Sequence, residues 1–157
     1  MGSIDLREVL AALPGGVVVV AAPADGGFRG LTATSFVSVS LEPPLVLVCL
    51  DALSATTEAV KAANRFTGSL LERKQEFLAE RFAGRAPLVV ADWREVPHRL
   101  SPGGLPFVEG AVAWFECQVE QLHDAGDHVI AVGSLTHAER GGGEPLVHWD
   151  RSFWRLT

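Results

Sequence analysis

Gly30-Leu31-Thr32-Ala33-Thr34-Ser35-Phe36-Val37-Ser38-Val39-Ser40-Leu41-Glu42-Pro43-Pro44-Leu45-Val46-Leu47-Val48-Cys49-Leu50-Asp51 divides at its paired prolines into two extended halves. The second half, Leu45 to Leu50, is apolar without alternation, so its strand is expected to be central and covered on both faces. The first half concentrates hydroxyls at Thr32, Thr34, Ser35, Ser38 and Ser40 among small or apolar residues. Hydroxyls and free backbone N–H groups satisfy phosphate oxygens or the polar edge of a flat heterocycle without a cation, and Ala33 lets a ring approach the backbone. A Thr/Ser-rich strand chosen for β propensity is the alternative that the residues alone leave open.

Upstream, Val17 to Ala22 is a β-branched run, and Asp25-Gly26-Gly27 turns it toward Phe28, which predicts a hairpin leading into the quoted stretch. Before it, Leu6, Val9, Leu10 and Leu13 recur at helical spacing behind Asp5 and Glu8, and Pro14-Gly15-Gly16 stops that helix. Downstream, Ser54 is an N-cap for a helix through Thr57, Val60 and Ala63. A strand over Arg65 to Leu71 and a helix from about Lys74 to Ala83 come next. Ala86 to Gly104 lacks periodicity and reads as a long surface excursion. Ala111, Ala113, Phe115, Cys117 and Val119 then alternate with a mixed set, predicting a strand with one apolar face. Glu116 and Glu120 share the other face and read as a solvated or interface-facing edge. Asp124-Ala125-Gly126 returns the chain into a second long strand, Asp127 to Ala138, on which His128 shares a face with Ile130 and Val132. Short extended pieces over Pro145 to Trp149 and Phe153 to Leu156 end the chain. The expected fold is mainly β with peripheral helices, an antiparallel barrel in one domain over residues 1–157.

Composition narrows the function. A net charge of −6, with lysine only at positions 61 and 74, argues against a basic stripe for nucleic acid or an anionic membrane. No apolar run approaches the roughly 18 residues of a membrane span, and no signal-like start is visible, so a cytoplasmic location is expected. Cys49 and Cys117 sit in apolar runs and are expected to be free and buried, as in a reducing compartment. Five scattered histidines offer no metal-ligand spacing, and no metal site is expected. Dinucleotide-fingerprint, P-loop and nucleophile-elbow patterns are absent.

The run from Gly30 to Asp51 resembles the signature G-x-T-A-S/T-S-F-x-S-V-S-L-x-P-P-L-V of the flavin-reductase-like, FMN-binding split-barrel family. Further pieces match in order: Leu13-Pro14-Gly15-Gly16 before it, Ser54 with Thr56 or Thr57 after it, Gln75 with Leu78-Ala79, Gly110-Ala111, Gly126-Asp127-His128, and Pro145-Leu146-Val147. The resemblance implies a homodimeric split β-barrel that takes hydride from NADH or NADPH onto FMN or FAD and supplies reduced flavin to a separate monooxygenase. A tight FMN-binding flavoprotein without free-flavin turnover is the alternative. Carried over by motif position, Thr32, Ala33, Thr34 and Ser35 would contact the isoalloxazine, while Ser40, Ser54, Thr56 and Thr57 would lie toward the ribityl chain and phosphate. Asp51, Ser69, Leu70 and Gln75 complete the implied flavin contacts, and His128 would stand on the nicotinamide side. Two departures are visible: Ser69 replaces a flavin-contacting Asn, and Phe153 stands where Tyr is common. Gly68 sits inside a predicted strand, which glycine weakens.

Overall fold

The structure, a computed structural model, describes residues 3–84 and 93–156. Among these the elements are α1 (Leu6–Leu10), β1 (Gly15–Gly16), β2 (Val18–Ala24), β3 (Gly27–Ala33), β4 (Val37–Ser40), β5 (Leu45–Asp51), α2 (Ala55–Ala63), β6 (Arg65–Leu70), α3 (Glu76–Phe82), a 3₁₀ turn (Trp93–Glu95), β7 (His98–Leu100), β8 (Pro106–Val108), β9 (Ala113–Ala125), β10 (His128–Arg140), β11 (Val147–Trp149) and β12 (Ser152–Trp154). Seven strands form one antiparallel sheet in the order β3-β2-β6-β9-β10-β5-β4; β1-β11-β12 and β7-β8 are small satellites. The expected antiparallel, mainly β architecture with peripheral helices is what forms.

The sheet curls until its edge strand β3 lies against β5 without pairing to it. Across that seam the Ser35 hydroxyl donates to the carbonyl of Cys49 and accepts from its N–H, both at 3.1 Å. One side chain therefore does what a ladder would otherwise do, and the barrel stays split above it. Inside the curl Val18, Val20, Val46, Val48, Leu50, Phe66 and Ala131 pack together, with Val60 of α2 closing one end. Outside β2 a second cluster, Val17, Val19 and Ala21 with Leu78, Phe82, Trp93 and Leu146, carries α3 and the 3₁₀ turn. Apolar burial on both faces makes β2 the anchor of the fold.

Several expectations are corrected. The strand covered on both faces is β2; β5 lies next to the edge strand β4, with Val46, Val48 and Leu50 buried but Leu45, Leu47 and Cys49 only half-buried. Cys49 is accordingly free but not buried, unlike Cys117. Helix α1 ends at Leu10 and buries none of its residues, leaving Leu13 exposed beyond it. Of the supposed excursion, residues 86–92 lie outside the described residues, but the remainder is folded: Trp93 and Val96 are buried, and β7 pairs with β8. Glu116 is buried rather than solvated, because its carboxylate accepts from the Ser101 hydroxyl and from the Gly103 N–H at 3.1 Å, clamping the β7–β8 connection. Glycine at position 68 also has its reason: a Cβ there would stand 2.9 Å from the Phe36 ring and 3.2 Å from Val18.

Candidate active site

Where the seam opens, the chain leaves a cleft of about 370 Å³ between β3 and the β5–β10 pair, lined by Leu31, Thr32, Ala33, Thr34 and Ser35 on one wall and Cys49, Asp51 and His128 on the other. Such a volume falls at the lower end of the range for small-molecule sites, ~300–1,000 Å³. The wall from Leu31 to Ser35 comprises the free edge of the sheet and the first residues beyond β3, so backbone groups that no neighbouring strand uses face the cleft. The hydroxyls are partly committed. Thr32 donates to the Ala79 carbonyl at 2.7 Å, tying α3 to the edge strand, and Ser35 bridges the seam. Thr34 is the exposed member of the set.

The opposite wall is set by β-pairing and turns. Asp51 and His128 are register partners at the ends of β5 and β10. The Asp51 carboxylate accepts from the Leu53 N–H at 2.8 Å, and its carbonyl accepts from the Thr57 hydroxyl at 2.6 Å and the Ser54 N–H at 3.1 Å. The Ala52 N–H bonds the Asp127 carbonyl at 3.0 Å, which fastens the β9–β10 turn over the cleft. There the His128 Nδ1 lies 2.8 Å from the Asp127 carboxylate, and its ring stays 45% exposed. The hydrogen bond to His128, and then the imidazole charge, hold the Asp127 carboxyl below its ordinary value.

The structure thus brings Thr32, Ala33, Thr34, Ser35, Asp51 and His128 together, and it places Ser54 in an adjoining cleft. The other sequence-predicted residues lie elsewhere. Thr56 and Thr57 are buried in the first turn of α2, and the Ser54 hydroxyl caps that helix by accepting from the Thr56 N–H at 3.1 Å. Ser69 is buried and accepts from the Val108 N–H at 3.0 Å. Gln75 spans Glu72 N–H and the Glu109 carbonyl at 2.9 and 2.8 Å. Leu70 lines a separate apolar groove with Val18, Phe36, Val46 and Phe115, and Ser40 pairs with Leu45 in the β4–β5 ladder. Sequence reading passed over Leu31, Cys49 and Ala83 as lining residues. Cys49 was legible in principle, since on a strand it shares a face with Asp51.

Among the described residues no Lys or Arg lines the cleft, which suits a flat, neutral, hydrogen-bonding ring better than a bare phosphate. Among them, too, no cluster of three or more His, Cys, Asp or Glu side chains is placed to hold a metal ion, and no helix is long and apolar enough to cross a membrane.

Residues 10–157 match the flavin reductase like domain. The chain is 40% identical over 152 residues to the reductase component of 4-hydroxyphenylacetate 3-monooxygenase from Thermus thermophilus, covering 96% of this chain and 95% of that protein. A probable flavin reductase from Rhizobium meliloti is 40% identical over 140 residues, 87% of this chain but 43% of that protein's length. Among solved structures, the NADH:FAD oxidoreductase SgcE6 of Streptomyces globisporus, in complex with NAD and FAD fragments, superposes with a TM-score of 0.89 at 36% identity, covering 97% of this chain and 91% of that one. The domain match, the sequence identity and the superposition agree, and the chain belongs to the flavin reductase-like family.

Proposed function

We propose that the protein is an NAD(P)H:flavin oxidoreductase that reduces FMN or FAD and passes reduced flavin to a separate monooxygenase. The observation that carries the reading is the seam cleft, where the hydroxyl-rich edge from Thr32 to Ser35 faces Asp51 and His128, with neither Lys nor Arg among the described lining residues. When bound, the flavin supplies the acceptor for a hydride from reduced nicotinamide. Hydride transfer needs stacking and alignment more than an acid or a base, so the chain's work here is positioning.

In this reading Thr34 and the free backbone edge meet the polar rim of the ring, Ala33 admits its close approach, and Ser35 keeps the slot at fixed width. His128, oriented by Asp127, stands at the open side and aligns the nicotinamide. The Thermus relative is named as a monooxygenase reductase component and the Streptomyces relative for NADH and FAD, which supports both partner and substrates. A homodimer belongs to the same proposal: the apolar groove of about 270 Å³ beside Phe36, Leu70 and Phe115 adjoins the exposed Val37 and Val39 of edge strand β4. Two free cysteines fit work in the reducing cytoplasm.

Purification followed by a flavin titration tests the reading. Protein that oxidises NADH or NADPH only when FMN or FAD is added behaves as proposed. Protein that is yellow as isolated and ignores added flavin is instead a tight flavoprotein.

A further inference from the structure

We propose that Thr32 serves flavin reduction as a positioning residue rather than a flavin contact: its hydroxyl fastens the edge strand of the seam cleft to α3, and through that bond α3 sets where the ring sits. The inference rests on the flavin-reductase reading of the cleft.

Among the described residues β3 pairs with β2 along one side only, and its other side is the wall offered to the ring. A strand with one ladder can tilt unless something behind it holds its height. Alternation decides what stands behind. Leu31 and Ala33 turn toward the barrel interior, where they pack with Val18, Val20 and Val46. Phe28, Gly30 and Thr32 point the other way, toward α3 and the 3₁₀ turn.

Two contacts on that face hold the strand. At Gly30 the backbone lies directly on Phe82: a Cβ there would stand 2.6 Å from the ring, and the ring rests on Trp93 with centroids 4.7 Å apart. Trp93 meets His98 edge-on and His98 meets Phe28, so the aromatic layer returns to the strand that it supports. Two residues beyond Gly30, the Thr32 hydroxyl donates to the Ala79 carbonyl at 2.7 Å, and that carbonyl also accepts from the Ala83 N–H at 3.0 Å at the end of α3. Ala79 is fully buried, which shields the bond from water. Apolar packing at Gly30 is non-directional and tolerates sliding, whereas the hydrogen bond at Thr32 fixes one placement of strand against helix. Ala33 and Thr34 follow at once, so an error of height at Thr32 passes straight to the ring. Hydride transfer is steep in such an error: the reacting atoms must come within about 3–3.5 Å, and a misplacement of about 1 Å can cost about 100-fold. Affinity, spread over both walls of the cleft, is less sensitive.

Thr32→Val nearly keeps the side-chain shape and removes the hydroxyl, and Thr32→Ser returns it. Hydride transfer is read as flavin bleaching by reduced nicotinamide in anaerobic stopped flow at saturating flavin, and flavin affinity as fluorescence quenching. The hold on β3 is read as amide hydrogen exchange over residues 27–33 of the flavin-free protein. Thr32→Val should lower the hydride rate about tenfold and speed exchange about tenfold, with flavin Kd within about twofold of wild type. Thr32→Ser should return rate and exchange close to wild type. Gly30→Ala, which pushes the strand off Phe82 and keeps the hydroxyl, should also slow hydride transfer with little change in Kd. A wild-type hydride rate in Thr32→Val or in Gly30→Ala overturns the inference, as does unchanged exchange in Thr32→Val. A flavin Kd raised about tenfold at an unchanged rate overturns it too, since that is the signature of direct contact. A wild-type protein that neither binds flavin nor oxidises reduced nicotinamide removes the flavin-reductase reading and the inference with it, whereas a wild type that turns over no faster than Thr32→Val removes the inference alone.

Discussion

His128 and Asp127 carry the sharpest residue-level expectation. His128→Ala should raise KM for the nicotinamide about tenfold while flavin affinity, read by fluorescence quenching, changes less than about twofold, because the imidazole stands on the open side of the cleft. Asp127→Asn should reproduce part of that loss by freeing the ring. The Asp127 carboxyl sits below its ordinary value, so it stays ionised to lower pH than it would without His128. Cys117 makes the opposite case. Burial, with the Glu116 carboxylate adding to it, pushes its thiol from 9.0 up to about 12. The unfolded chain loses that proton near pH 9 and the folded chain does not, so the stabilisation is complete below about pH 9 and is lost progressively as pH rises toward 12. The slope approaches about 1.4 kcal/mol per pH unit, an upper bound of about one proton. The chain contains no Tyr to blur the measurement. Denaturant unfolding across alkaline pH should show the decline, and Cys117→Ala should flatten it; an unchanged slope in the variant would remove Cys117 from the account.

At the scale of elements, the seam and β2 decide the architecture. Ser35→Ala leaves both backbone groups of Cys49 without their seam partner, and should cost about 1–3 kcal/mol by chemical unfolding and weaken flavin binding together. Gly68→Ala drives a methyl into Phe36 and Val18, and overpacking of about 1–3 kcal/mol should lower the melting temperature by several degrees. The strands around these residues were legible because alternation and β-branched runs report burial directly, as in Val17 to Ala22 and the β9–β10 pair. An unbroken apolar run reads alike whether the second cover is the chain's own helix, as over β2, or is absent from one chain, as beside Leu45 and Leu47, and so the sequence does not tell β5 from a doubly covered strand. Glu116 could not be read as buried, since its partners Ser101 and Gly103 come from a distant hairpin. The hydroxyl segment was legible as a site only through its motif; which of its members are free depends on Ala79 and Cys49, contacts that the local sequence does not encode.

At the scale of the whole molecule, the open barrel leaves, among the described residues, a slot beside β3 and an apolar face running from β4 across β5 unfinished. We propose the first for flavin and nicotinamide and the second for another copy of the chain. Val39→Lys on edge strand β4 should shift the protein from dimer to monomer in light scattering, and a wild-type protein that is monomeric at micromolar concentration would contradict the dimer. The central claim is that flavin is reduced in the seam cleft. Its most direct measurement is the rate of NADH oxidation against added FAD or FMN, for the wild-type protein and for Thr34→Trp, which fills the cleft from an exposed position. The account predicts saturable, flavin-dependent oxidation by the wild type and a flavin KM raised about tenfold or more in a variant of unchanged melting temperature; flavin-independent oxidation, none at all, or a Thr34→Trp protein with wild-type kinetics would contradict it.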